Sequence, residues 1–208
     1  MREAACDDGP VSATVSPDPL QLVLGDEELL VERAVRAAVA AARAADVQAD
    51  HSRVRATDLT PAELVELLSP SLFADGRVVV LEAAQDGGKE IADAVLAYCR
   101  QPAEGIVLVV QHSGGGRSKV AKELPAALRK AGATVVDCAK ITKPADRDGF
   151  IRDEVRRAGG KIEAAALAAL VEAVGTDLRE LAAAASQLVA DTGGTVDKAA
   201  VHRYYQGR

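Results

Sequence analysis

The turn after the first predicted strand is the first place in this sequence where phosphate chemistry could occur. The residues there read Leu24-Gly25-Asp26-Glu27-Glu28-Leu29. A phosphate loop at such a turn needs several glycines and a Lys-Ser or Lys-Thr pair, because backbone N–H groups and the lysine hold the phosphates. One glycine and three consecutive carboxylates would repel a triphosphate. The sequence therefore predicts no nucleotide cofactor at this turn.

A second candidate is the glycine-rich stretch from Ser113 to Lys119, which follows an apolar strand and precedes a helix. Backbone N–H groups of such a turn can bind anions. Its spacing does not fit a phosphate loop, so a plain connector is the favoured interpretation, and a nucleotide-binding enzyme using Gly114 to Gly116 is kept as an alternative. Arg117, Lys119 and Lys122 are candidates for a contact with DNA or another anion, although a solvated helix face is the simpler interpretation.

Residue types that support catalysis or metal binding occur in this sequence without a recognisable pattern. The three histidines lie in unrelated segments, and each is expected to be an ordinary surface residue: His51, His112 and His202. The three cysteines form no Cys-x-x-Cys pair and are expected to be reduced thiols of a cytoplasmic protein: Cys6, Cys99 and Cys138. The sequence thus predicts no catalytic residue, no metal ligand and no cofactor.

Composition narrows the class of protein further. The chain has 208 residues, of which 49% are hydrophobic, 27% are charged and only 2% are aromatic. These values indicate a globular protein with an aliphatic core. A base-stacking nucleic-acid module needs aromatic platforms on a basic face, and a net charge of -6 disfavours a stand-alone DNA-binding protein.

Hydrophobic periodicity predicts an α/β domain in the first two thirds of the chain. Continuous apolar runs are typical of strands buried on both faces, and helix-period stretches lie between them, which predicts a parallel sheet with right-handed crossovers. The predicted strands are Leu20 to Leu24, a weaker one within Val47 to Val54, Val78 to Leu81, Ile106 to Val110, and Thr134 to Val136. Helices are predicted after the first strand, from Thr60-Pro61, at about 88–101, and at 118–131 with an interruption at Pro125.

A change of pattern near Lys143-Pro144 marks a predicted domain boundary. Behind it, apolar residues recur at helical spacing between glycine pairs, which predicts a small bundle of helices without a strand. The predicted organisation is a disordered tail at 1–18, an α/β domain at 19–143 and a helical domain at 144–208. Neither a signal peptide nor an apolar run long enough to span a bilayer is found, so a cytoplasmic protein is expected.

The stretch from Leu64 to Arg77 contains a candidate interaction element. A helix ends at Leu67 and Leu68, a proline follows, and Leu72 and Phe73 precede a turn and the next strand. In the simpler interpretation, Leu72 and Phe73 pack under the edge of the sheet. In the functional interpretation they form an apolar plug for a partner's pocket, where two such side chains could contribute about 3–6 kcal/mol.

Taken in order, these features resemble the delta subunit of the bacterial DNA polymerase III clamp loader. The resemblance covers about residues 19 to 206 and depends on the order and spacing of individually loose motifs. They are Leu22-Val23-Leu24-Gly25-Asp26-Glu27-Glu28-Leu29-Leu30, Ser71-Leu72-Phe73 with Arg77 to Glu82, Gly160-Lys161-Ile162, Val174-Gly175-Thr176-Asp177-Leu178, and Gly194-Thr195-Val196-Asp197.

The resemblance implies an AAA+-like five-stranded parallel sheet, a helical lid domain, and no ATP hydrolysis by this chain. It implies a subunit of the DNA polymerase III holoenzyme, a DNA-directed DNA polymerase, that binds and opens the ring-shaped sliding clamp for loading on primed DNA. Leu72 and Phe73 would enter the hydrophobic pocket of the clamp. The family continues into a collar domain that contacts the other loader subunits, and this chain is expected to lack it. A protein-binding adaptor with another partner remains the alternative.

Overall fold

The computed structural model describes residues 18–70 and 76–205 of the chain. It divides into two compact units, Met1–Ala139 and Lys140–Arg208. The predicted tail at 1–18 lies, except for Asp18, outside the described residues. The predicted boundary near Lys143-Pro144 falls a few residues after the division between the units, and the assignment of functional domains stays a prediction.

The first unit alternates strands with helices. Its strands are β1 (Leu20–Leu24), β2 (Asp50–Arg55), β3 (Arg77–Glu82), β4 (Ile106–His112) and β5 (Thr134–Asp137). Its α-helices are α1 (Glu28–Ala45), α2 (Pro61–Leu67), α3 (Gly88–Tyr98) and α4 (Lys119–Lys130), and short 3-10 turns occupy Ala56–Asp58 and Ala84–Asp86.

The five strands form one parallel sheet in the order β2-β3-β4-β1-β5. Alternate residues of each strand point to opposite faces, so the two faces have separate apolar cores. On β3, Val79 and Leu81 pack on the face that α2, α3 and α4 cover, whereas Val78 and Val80 pack against α1. All four of these side chains are fully buried, as expected for continuous apolar strands covered on both faces. The predicted parallel α/β fold is confirmed.

Helix α4 differs from its prediction. Pro125 does not interrupt it, and the helix continues without a break from Lys119 to Lys130. A proline inside a helix removes one N–H donor and leaves the carbonyl group four residues earlier without its usual partner. In α4 that carbonyl belongs to Ala121, and it accepts a hydrogen bond from a side chain outside the helix.

The second unit contains four α-helices in its described part: α5 (Pro144–Arg157), α6 (Ala164–Val174), α7 (Leu178–Thr192) and α8 (Lys198–Tyr205). The absence of strands predicted here is wrong, because β6 (Lys161–Ile162) and β7 (Thr195–Val196) form a small parallel pair. Each strand has two residues, which is too short to show a period in the sequence. The pair forms because the chain leaves α5 and α7 through adjacent glycines, and Lys161 N–H donates to Gly194 O at 2.7 Å.

Within residues 18–70 and 76–205, no helix combines the length and the apolar character needed to cross a bilayer.

Candidate functional site

The turn between β1 and α1 is held by backbone hydrogen bonds from both neighbouring strands. Gly25 N–H donates to His112 O and Glu27 N–H donates to Cys138 O, both at 2.9 Å. Gly25 has a φ of +140°, and a Cβ at this position would lie 2.1 Å from the carbonyl carbon of Cys138. The N–H groups that a phosphate loop would offer at Gly25 and Glu27 are therefore already used, and the carbonyl ends of β4 and β5 occupy their hydrogen-bonding space.

The glycine-rich connection between β4 and α4 is also hydrogen-bonded within the chain. Ser113 N–H donates to Gln85 Oε1 at 3.2 Å, and Gly114 N–H donates to Nδ1 of His112 at 2.9 Å. Gly115 N–H donates to the Oγ atom of Ser113 at 3.4 Å. Three consecutive backbone donors are thus directed at atoms of this chain, as expected for a structural connector.

The prediction that His112 lies at the surface is wrong. The side chain is 1% exposed at the carboxyl end of β4, and its Nε2 lies 2.8 Å from Ala121 O in α4. Ala121 is four residues before Pro125, so its carbonyl is the one that the proline leaves without a helical donor. His112 therefore donates from Nε2–H to that carbonyl and accepts from Gly114 through Nδ1, which defines a neutral ring with its proton on Nε2.

The environment of His112 favours this neutral form. Burial lowers the pKa of the imidazole, and this effect exceeds the opposing influence of the Ala121 carbonyl and of Asp86. The sequence does contain a signal for such a contact, since a proline at the seventh position of an amphipathic helix leaves one carbonyl that needs a donor from water or from a neighbouring element. Periodicity alone does not identify which residue supplies that donor.

The three predicted cationic candidates lie at the start of α4 and are accessible to solvent. Arg117 precedes the helix, Lys119 is its first residue, and Lys122 is one turn further along. Ser118 caps the helix by accepting from Ala121 N–H at 3.1 Å. The ammonium group of Lys119 lies 3.7 Å from Glu123. The structure therefore places these cations together on one accessible part of the first unit.

The predicted plug residues, Leu72 and Phe73, lie outside the described residues, so their role stays a prediction. The structure does define the two ends of their segment. Before it, α2 begins with a capping box in which Glu63 N–H donates to Thr60 Oγ1 at 3.3 Å and Thr60 N–H donates to Glu63 Oε2 at 2.8 Å. These hydrogen bonds lower the pKa of the Glu63 carboxyl group, the larger effect coming from the Thr60 backbone.

After the segment, Gly76 and Arg77 enter the sheet. Asp50 N–H donates to Gly76 O, and Arg77 N–H donates to Gly105 O, both at 2.9 Å. The guanidinium of Arg77 donates from Nη1 to Leu67 O at 3.0 Å, and its Nε lies 3.7 Å from Asp50 Oδ2. Arg77 thus ties the end of α2 to the start of β3 across the undescribed residues. In the sequence, Arg77 is identified only as part of a motif. Its contacts with Leu67 and Asp50 are seen only in the structure.

The buried thiols of the first unit offer little reactivity. Cys99 and Cys138 are free cysteines, and burial raises the pKa of each thiol to about 11. A thiol in this range is almost entirely protonated near neutral pH and is a poor nucleophile. Among the described residues, no group of three or more His, Cys, Asp or Glu side chains is arranged to hold a metal ion.

Comparison with solved structures defines the fold class. The order β2-β3-β4-β1-β5, followed by a helical unit, is an α/β AAA+-like fold. Bacillus subtilis DNA clamp loader delta protein (YqeN) matches with a TM-score of 0.67 and 16% sequence identity, over 89% of this chain and 57% of that chain. The Thermotoga maritima RuvB Holliday junction branch migration motor has a TM-score of 0.48 and 13% identity, over 88% of this chain and 60% of its own. A point mutant of the same RuvB protein also has a TM-score of 0.48, with 14% identity over 92% of this chain and 63% of its own.

No protein-family model matches the sequence, and no curated protein matches it. The resemblance to a clamp-loader delta protein is confirmed at the level of the fold. This chain spans a little over half the length of that protein.

Proposed function

We propose that this chain is a clamp-loader delta subunit, which binds and opens the ring-shaped sliding clamp for loading on primed DNA and does not hydrolyse ATP itself. The observation that carries the proposal is the fold shared with a clamp loader delta protein over 89% of the chain. The role places the chain in the cytoplasm, with the clamp and the other loader subunits as partners.

The β1–α1 turn supports a role without nucleotide hydrolysis. Its donors at Gly25 and Glu27 are taken by the carbonyl groups of His112 and Cys138, and three carboxylates occupy positions 26 to 28. The alternative of a nucleotide-binding enzyme using Gly114 to Gly116 is disfavoured, because the backbone N–H groups of Ser113, Gly114 and Gly115 already donate to atoms of this chain. The mechanism proposed here is mechanical: binding energy at the clamp interface strains the ring.

The ends of the segment that carries Leu72 and Phe73 support its assignment as the clamp-binding element. Leu64 and Leu68 of the preceding helix are buried, which fixes one end in the core. Arg77 fixes the other end and bridges back to Leu67. A segment that is attached at both ends has fewer conformations than a free chain end of the same length and loses less conformational entropy on binding, so more of the interface energy remains for the clamp.

Clamp binding by single variants tests the proposal. We expect the wild-type chain to bind the sliding clamp directly, and Leu72→Ala or Phe73→Ala to weaken binding at least about tenfold, because each removes an apolar side chain worth more than about 1.4 kcal/mol at a buried interface. The measurement is a titration by isothermal calorimetry or surface plasmon resonance. Val65→Ala, at an exposed apolar position of α2, is the matched control. Wild-type affinity in both Leu72→Ala and Phe73→Ala would contradict the assignment.

We also propose that Arg117, Lys119 and Lys122 contact the phosphate backbone of primed DNA within the loader. They are accessible at the start of α4 and carry three positive charges on a chain whose net charge is -6. Contacts of this kind position a protein on DNA without reading sequence.

A further inference from the structure

An apolar groove lies at the amino-terminal edge of the sheet, immediately beside the point where the chain returns from residues 71–75. It has a volume of about 870 Å³ and includes Gly76 and Arg77 in its wall. Small apolar residues from the end of α1 and from the α3–β4 connection form much of the remaining surface: Ala42, Ala45, Ala49, Pro102, Ala103 and Ile106. The groove is at the opposite edge of the sheet from the β1–α1 turn and the cations of α4.

We infer that this groove is a second contact surface for the sliding clamp, and that it receives an apolar side chain of the clamp flanked by a lysine or arginine. The inference rests on the proposed function. Gly76 and Arg77 of the groove wall directly follow residues 71–75 in the chain, so the groove adjoins the proposed clamp-binding segment in sequence.

The surface area that a specific protein complex buries is larger than Leu72 and Phe73 can provide, which supports a second contact. A stable interface buries about 800 Å² on each partner, whereas a phenylalanine and a leucine side chain together bury no more than about 400 Å². The remaining area has to come from surface that adjoins the segment. Val47, in the turn between α1 and β2, follows Asp46 of the groove wall and is 82% exposed, so it can add apolar area to such a contact.

The charges at the groove indicate a basic residue beside the apolar side chain of the clamp. Asp46 and Glu104 contribute carboxylates to its wall, and the positive charge of Arg77 is already paired with Asp50. The groove therefore presents uncompensated negative charge around an apolar floor. A lysine or arginine next to an apolar side chain has the complementary pattern, and a carboxylate at the same place would be repelled.

The substitution Ala45→Lys tests the groove because it adds both bulk and positive charge to the wall. Ala45 is exposed at the last position of α1, where lysine is favourable for the helix, so folding should be retained. We expect at least about tenfold weaker clamp binding. Ala37→Lys is the matched control, since it makes the same change at an exposed alanine of the same helix outside the groove, and its affinity should stay within about twofold of wild type.

A second variant tests the charge. Glu104→Gln should weaken clamp binding about threefold at low salt and have little effect at about 0.5 M salt, because screening removes the attraction. Glu90→Gln, an exposed carboxylate of α3, is its control.

The outcomes separate the two proposals. If Phe73→Ala loses clamp binding while Ala45→Lys and Glu104→Gln bind as wild type does, the groove inference is wrong and the proposed function stands. If Phe73→Ala, Ala45→Lys and Glu104→Gln all leave binding unchanged, both are wrong. Unchanged clamp affinity in Ala45→Lys overturns the inference whatever its melting temperature.

Discussion

His112 shows how one buried residue can depend on a proline in another element. Its ring replaces the N–H donor that Pro125 cannot supply to Ala121 O, and its other nitrogen accepts from Gly114. The hydrogen bond that His112 accepts from Gly114 requires the neutral ring, whereas the bond that it donates to Ala121 O forms in either protonation state. Protonation would place a second N–H against the Gly114 donor inside a protein environment that disfavours charge.

This requirement predicts an acid-sensitive fold. Because the pKa of His112 is lowered in the folded state, its contribution to stability is complete above the ordinary value of about 6.5 and is lost as the pH falls from there to the folded pKa. We expect the free energy of unfolding of the wild type to decrease by up to about 1.4 kcal/mol per pH unit below about pH 6.5 through this residue. Urea denaturation from about pH 7.5 to about pH 5 should show a smaller decrease in His112→Gln.

His51→Gln provides the control for that measurement, because His51 is exposed on β2. It makes the same substitution at a histidine that forms neither hydrogen bond of the His112 ring. Equal acid sensitivity of His112→Gln and wild type would show that His112 does not act in this way.

At the scale of elements, the contact between His112 and α4 explains how a helix can run through a proline. The helix keeps its amphipathic pattern, with Leu124 and Leu128 buried against the sheet, while the missing backbone hydrogen bond is supplied by β4. Strand and helix are therefore coupled by a hydrogen bond that neither element could form alone.

This coupling can be measured with a double-mutant cycle. His112→Phe keeps much of the side-chain volume but removes both hydrogen bonds, and Pro125→Ala restores an N–H group that can bond to Ala121 O. We expect His112→Phe to cost about 1–2 kcal/mol less stability in the Pro125→Ala background than in the wild type, because the Ala121 carbonyl is then satisfied within the helix. Chemical denaturation of the four chains gives the coupling energy.

Pro144→Ala in place of Pro125→Ala is the matched control, since Pro144 begins α5 in the second unit. That cycle should be additive within about 0.5 kcal/mol. Additivity in the Pro125 cycle would contradict the role assigned to His112.

At the scale of the whole molecule, the two proposed partners would bind surfaces of opposite charge. The groove at the amino-terminal edge is acidic and suits a basic surface, whereas the start of α4 is basic and suits phosphate. The net charge of -6 is a sum over the chain and does not show that acidic and basic residues lie on different surfaces.

Salt dependence of DNA binding tests the basic part. Lys122→Gln should weaken binding of primed DNA by the loader that contains this chain, at low salt and to a similar degree for all sequences, and should reduce the slope of log K against log salt by about 1 for each phosphate that the variant no longer neutralises. Fluorescence anisotropy at several salt concentrations measures both. Lys89→Gln is the control, because Lys89 is an exposed lysine that lies 3.7 Å from Asp93 on a different helix. An unchanged slope in Lys122→Gln would remove this residue from the proposed DNA interface.

The strand pattern by itself determined the architecture of the first unit. Continuous apolar runs such as Val78 to Leu81 and Ile106 to Val110 can be buried only by helices on both faces, which requires a parallel sheet with crossovers. The three acidic residues after Gly25 likewise predicted a turn unsuited to phosphate, because charge repulsion depends on residue type and not on detailed geometry.

Contacts between distant segments were decided only by the tertiary structure. The burial of His112, the continuity of α4 through Pro125, the β6–β7 pair and the bridge from Arg77 to Leu67 each join residues that sequence periodicity treats separately. Local patterns record which face of an element is apolar, but they do not record which polar group from elsewhere satisfies a missing hydrogen bond. That choice is made when the elements pack, since a buried donor or acceptor must find whatever partner the fold brings within reach.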